Sequence, residues 1–428
     1  MALGLVVIAI SAAQTEDSSS AESAVFLQQI KQRVSADLGS VPNYVCVDSI
    51  ERSVWIPEES RFRRLDRLHL EIAHIEGIDR FSWLGNSAFQ SKAPTSMVGY
   101  GVSFRGDFAD NRALVFNNDQ TRISYVGRVT IEGRPALHYE FDAHRRALAV
   151  RSAYQSGFAA AHGAFWIDPE TLDVLQLELA AYDIPTSLSI RSIVDRTMYW
   201  PVRVGGRRVL LARRSEFLLT EPDGTLRRNV SAFSNCREYN SESTVTFGPS
   251  PKAQSSPAME DTRVQPGLQL ELVLDTPLDA NNAAVGDPIR AHILQTAGNL
   301  RRGANVYGRV NRIINYSDQI PKPRSEQRPR PSSHPTWGQH TGEVLIGIEF
   351  THVELRRSRV PFTARLIDVE SQPGRRAAQI RSFGYFDDDA IVQYDPTGTA
   401  SVYVAQENPI IGRGVIMRWV TVAGPGSL

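Results

Sequence analysis

The chain has 428 residues, 42% of them apolar, and its 47 Lys and Arg balance 47 Asp and Glu. That length exceeds one ordinary domain and provides for two or three cores. Zero net charge excludes a whole-molecule field that would draw the chain to nucleic acid or an anionic membrane, so binding must come from local patches. Beyond residue 13 no apolar run approaches the roughly 18 residues of a membrane span, and no transmembrane span is expected in the mature chain.

The opening residues MALGLVVIAISAAQTED set a short apolar run, Leu3 to Ile10, before Ser11, Ala12 and Ala13. Small residues at those positions are what a signal peptidase reads, so residues 1–13 are expected to be a signal peptide, with a buried strand as the alternative. The basic residues that usually lead such a signal are missing here, and no Cys follows Ala13 to take a lipid. An exported chain, periplasmic or extracellular, is the expectation.

Ser19 and Glu22 stand at capping-box spacing, and Phe26, Ile30, Val34 and Leu38 recur at helical intervals up to Gly39, which predicts one amphipathic helix. From Tyr44 the period changes to two. YVCVDSIERSVWI, LHLEIAHI, ISYVGRVTI, ALHYEFDA, VLLARRSEFLL and NVSAFSNCREY alternate apolar and polar residues between turn residues, which is the pattern of antiparallel strands with one face packed. FWIDPETLDVLQLEL predicts a hairpin turning at Asp168 to Thr171, and Gly205 with Gly206 predicts another. The aromatic-rich stretch 81–118 is expected to supply a helix and loops that lie over the sheet. A first domain is placed at 19–247.

Residues 248–265, rich in Pro, Ser and Ala, read as an extended linker. Short strands resume at Leu268 and continue to GVIMRWVTV, which predicts a compact β-barrel or sandwich over 266–424. A basic, Pro-rich segment at 316–342 cannot bury enough apolar surface to order itself and is expected to be a loop. The fold class expected for the whole is mainly β (α+β): a curved antiparallel sheet, or half-barrel, with an N-terminal helix, followed by a small β-barrel.

Two cysteines occur, Cys46 and Cys236. In an exported chain such a pair is expected to be a disulfide, which would join the two ends of the first domain; two buried thiols are the alternative. No other chemistry converges. None of the nine histidines belongs to an HExxH or has zinc-ligand spacing. The strand histidines His69, His138, His292 and His352 read as sheet positions. GYGVSFRG lacks the context of a nucleophile elbow, and its glycines are wrongly spaced for a dinucleotide. Asp387, Asp388 and Asp389 lack the spaced order of a calcium loop. No catalytic residue, cofactor or metal ligand is assigned, although carboxylates on separate strands leave a polymer-acting hydrolase open.

LGSVPNYVCVDSIER, GRVTIEGRPALHYEF, GAFWIDPETLDVLQLEL, PVRVGGRRVLLARRSEF and FSNCREY, in that order, resemble the outer-membrane lipoprotein-sorting (LolA/LolB-like) fold. More closely they resemble exported proteins of soil acidobacteria. The resemblance covers about residues 24–245. It implies a strongly curved sheet whose concave face accepts acyl chains or other apolar ligands. In the second domain, LDANNAAVGDPIRAHILQ and LRRGANVYGRVNRI are similar to envelope barrels of the conjugal-transfer (TrbI-type) class. There Gly303 would supply a positive φ and Gly308 a close approach or bulge, and the likeness implies scaffolding and an envelope protein partner. A lipid or other apolar ligand is thus the expected partner of the first domain. An assembly module with no small ligand is the alternative, and it would be favoured if Trp83, Phe104 and their neighbours plug the concave face.

Overall fold

The computed structural model describes residues 11–57, 60–85, 89, 97, 110–151, 156–239, 263–315, 343–355, 358–369, 400–405 and 409–423. Helix α1 spans Ser11–Gly39. It begins eight residues before the expected cap at Ser19, because neither Pro nor Gly interrupts the chain before Gly39. Its helical-period residues do what their spacing predicts: Ile30 and Val34 are fully buried, with Phe26, Leu27 and Leu38 packed beside them.

Ten strands follow: β1 (Tyr44–Trp55), β2 (Arg63–Ile75), β3 (Ile78–Trp83), β4 (Arg122–Ile131), β5 (Arg134–Arg151), β6 (Ser156–Ile167), β7 (Val174–Tyr182), β8 (Ser192–Val204), β9 (Arg207–Thr220) and β10 (Leu226–Glu238). They form one curled antiparallel sheet in the order β3-β2-β1-β10-β9-β8-β7-β6-β5-β4. Most neighbours are simple hairpins. The Asp168 carboxylate accepts hydrogen bonds from the backbone N–H groups of Glu170 (2.9 Å) and Thr171 (3.1 Å) and so fixes the β6 to β7 turn. Gly205 and Gly206 both take positive φ at the β8 to β9 turn, as a two-residue hairpin loop of type I′ requires.

Two features are not hairpins. β1 pairs with β10 over eleven register positions, so the first and last strands lie side by side in the middle of the sheet, and the Cys46–Cys236 disulfide joins them there. The rims are β3 and β4, which are consecutive in sequence. The chain between Trp83 and Arg122 must therefore cross from one rim to the other. Its helix α2 (Asp110–Phe116) packs on the inner face: Val115 and Phe116 join the cluster that α1 covers, and the Phe116 and Phe165 rings meet edge to face at 4.9 Å. Each large apolar side chain buried this way stabilises by about 1.5–3 kcal/mol.

The second unit comprises β11 (Gln269–Leu274), β12 (Leu278–Asp279), β13 (Pro288–Ile293), β14 (Asn305–Asn315), β15 (Glu343–Leu355), β16 (Ser358–Pro361), β17 (Ala364–Val369), β18 (Ala400–Ala405), β19 (Ile410–Ile411) and β20 (Ile416–Thr421). Eight of these curl in the order β16-β15-β14-β13-β11-β20-β17, with β18 on β15, and β12 pairs with β19. Trp419 and Met417 sit fully buried at its centre. Gly303 has φ +80°, and Gly308 lies at a register shift where a Cβ would collide with the Glu349 carbonyl oxygen, both as their positions imply. The expected linker at 248–265 lies, apart from its last three residues, outside the described residues, as do the expected loop at 316–342, Phe104 and Asp387 to Asp389.

The two units touch through backbone. β3 pairs with β2 only from Leu70 onward, which leaves Arg63 to His69 with an edge that β3 does not cover. Val285 meets that edge: its N–H donates to the Arg67 carbonyl and its carbonyl accepts from the His69 N–H, both at 2.8 Å. Beside it, Gly286 (φ +102°) passes so close to the His69 carbonyl and the Trp83 ring that no side chain fits. His69 Nδ1 lies 2.6 Å from the Asp287 carboxylate, and the Arg309 guanidinium lies over Trp83 at 5.2 Å. Ile50, Leu68, Leu70 and Trp83 consequently belong to the same apolar cluster as the core of the second unit.

Candidate functional site

Antiparallel register places directly opposed residues on one face, so the inner face can be read strand by strand. Asp48 opposes Leu70 and Phe233; Ile50 opposes Leu68 and Ser231; Arg52 opposes Asp66 and Asn229. Ser231 then opposes Ser215, and Ser215 opposes Thr197, with Asp195 two residues before it. A polar row of Asp48, Ser231, Ser215, Thr197 and Asp195 thus crosses four strands of the inner face, beside the polar set of Arg52, Asp66 and Asn229.

Two lids cover that surface. α1 and α2 close over β5 to β9 in a cluster that also takes in Ile72 of β2 and Phe81 of β3, and the second unit closes over Ile50, Leu68, Leu70 and Trp83. Between them the inner side chains of β10 are only half-buried at Ser231 and Phe233. Met97 packs against both clusters. Trp83, whose position bears on whether the concavity is plugged, belongs to the cluster of the second unit, with its ring against Gly286.

The polar groups of the row differ in how far they are satisfied. Asn111 of α2 donates to Asp195 Oδ2 at 2.9 Å, and Ser215 donates to Oδ1 at 3.0 Å. Burial raises the pKa of this carboxyl, and the bonds from Ser215, Asn111 and Thr197 work against the rise. Arg112 next to it is fully buried with its guanidinium 4.8 Å from the Tyr199 ring, and burial pushes the Tyr199 hydroxyl up. Arg52 and Asp66 form a buried bidentate pair at 2.7 and 2.5 Å.

Asp48 is the exception. It is 3% exposed, and among the described residues its Oδ1 meets no hydrogen-bond partner while Oδ2 meets Ser231 at 3.5 Å. Burial pushes its pKa up to about 8, weakly opposed by Ser231. At neutral pH it is therefore mainly a neutral acid, able to donate one hydrogen bond and to accept others. A concave, mostly apolar surface carrying a few convergent polar groups and one strongly perturbed carboxyl is the usual form of a ligand site.

Asp48 and Asp195 are separated by three strands and four residues along the strand, roughly 15–20 Å. Paired carboxylates that cleave glycosidic bonds stand at about 5–9.5 Å, so these two cannot act as such a pair. Among the described residues no three His, Cys, Asp or Glu side chains are grouped as a metal ion would need. His292, read as a sheet position, bonds Asp275 at 2.9 Å, and His138 stacks on Trp166. Asp48 was not singled out by sequence reasoning. Its only signal there is an acidic residue at an inward position of the alternating run Cys46, Asp48, Ile50.

No family model matches the sequence, and no curated protein matches it. Among solved structures, the chain is similar to a DUF1329 family protein from Desulfovibrio piger, at 13% identity and a TM-score of 0.26, over 50% of this chain and 92% of that one. It is also similar to a domain assigned to outer membrane lipoprotein sorting from Vibrio parahaemolyticus, at 11% identity and a TM-score of 0.25, over 50% of this chain and 93% of that one. Both likenesses are loose, and the reading of the seam rests on its own geometry.

Proposed function

We propose that the protein is a non-catalytic binding protein of the exported, envelope-associated kind, holding an apolar or amphiphilic ligand in the seam between the two lids. The observation that carries this reading is the inner face of β10, where Phe233 and Ser231 are half-buried beside a carboxyl that has an unmet hydrogen-bonding atom. The Cys46–Cys236 bridge supports export, since such bonds persist in oxidising compartments. Among the described residues no helix is long and apolar enough to cross a membrane.

A second reading, an assembly module with no small ligand, draws support from Met97, which packs against both clusters and ties the two apolar cores together. Native mass spectrometry of protein made in an oxidising compartment separates the two. Carriage predicts a bound amphiphile, lost on unfolding, or saturable uptake of an added fluorescent lipid. A single apo mass with no uptake refutes carriage and leaves assembly.

A further inference from the structure

The unmet demand in the seam is specific in sign. Asp48 is desolvated, yet none of the described cations serves it. Arg52, four residues along the same face of β1, is engaged by Asp66, and Arg112 is stacked on Tyr199 beneath α2. Asp195, the other carboxyl of the row, is already satisfied by Asn111 and Ser215. A buried carboxyl with one bare oxygen is stabilised most by a group that brings both a positive charge and an N–H donor.

We propose that the seam selects amine-bearing amphiphiles, with the ammonium set against Asp48 and Ser231 and the hydrocarbon against Phe233. This rests on the seam being a ligand site and adds the chemistry of the head group. Ser231 Oγ accepts from a second ammonium proton, which gives the head two fixed partners. Because Asp48 holds a proton at neutral pH in the free protein, entry of an ammonium ligand ionises the carboxyl and expels that proton to solvent. The bound state contains a carboxylate and an ammonium, and one proton appears in the buffer.

Titration calorimetry of the full chain with dodecylamine, dodecanol and dodecanoate, each in two buffers of different ionisation enthalpy, tests this. The amine is expected to bind at least about ten-fold tighter than the alcohol, the usual gain from a charge-assisted hydrogen bond, and to release close to one proton at pH 7. The carboxylate, which brings no N–H donor and leaves Asp48 protonated, is expected to bind less tightly than the amine and to release no proton. In Asp48→Asn both the preference and the proton release should vanish. Equal affinity for amine and alcohol in the wild-type chain, or a preference that survives Asp48→Asn, overturns the head-group assignment while leaving carriage standing. If none of the three binds, carriage itself fails and the assignment with it.

Discussion

Replacing Asp48 with Asn turns the buried carboxyl into a permanent mimic of its protonated form. In the folded chain burial pushes the pKa of Asp48 up to about 8, against 3.8 for a solvated aspartate. The folded state thus binds the proton more tightly than the unfolded state, and stability falls as pH rises from about 4 to about 8. The slope is about 1.4 kcal/mol per pH unit inside that window and zero outside it. Between pH 5.5 and 7.5 the wild-type chain should lose about 2.5–3 kcal/mol that Asp48→Asn keeps. Urea unfolding followed by tryptophan fluorescence at four pH values measures the difference between the two proteins. That difference should widen with pH in favour of Asn. A gap constant to within about 0.5 kcal/mol from pH 5.5 to 7.5 would mean that the carboxyl is solvated or paired, and the seam would lose its distinguishing group.

Other consequences can be checked on the same preparation. Reducing the disulfide, or changing Cys46 and Cys236 to Ser, opens a loop with a sequence separation of 190 and should cost up to about 5 kcal/mol, read as a lower urea midpoint. Gly286→Ala places a methyl group against the His69 carbonyl and the Trp83 ring at a positive φ, and should cost roughly 2–3 kcal/mol. Because this residue lies in the contact between the two units, limited proteolysis should then cut between residues 239 and 263 faster than in wild type. Arg52→Ala leaves the Asp66 carboxylate buried without its bidentate partner, a loss of about 3–5 kcal/mol, whereas replacing both by apolar residues of similar size should recover most of it.

The strands were legible because period-two alternation reports directly which side chains face inward, and the turns were legible because Asp168, Gly205 and Gly206 have few other uses. The seam was not. Its polar row exists only because Ser231 meets Ser215 and Ser215 meets Thr197 across hairpins, while Asp48 reaches that row through a pairing of β1 with β10 that no local pattern specifies. Each member, taken alone in its strand, looks like an ordinary tolerated polar residue. The docking of the second unit was equally hidden, since it depends on β3 stopping at Trp83 and leaving seven residues of β2, Arg63 to His69, uncovered by it. That shortfall becomes visible only when the two strands are aligned in space.

The position of β10 also bears on how the chain must be made. A ribosome or translocon delivers the amino end first, so β1 emerges long before the strand that will lie against it, and nine strands are out while one side of β1 is still open. The last strand then has to slide into a gap in the middle of the layer, a late, non-local event of the kind that slows folding. Until it does, the nascent layer is two separate ribbons whose inner rims can capture each other wrongly or recruit a foreign strand.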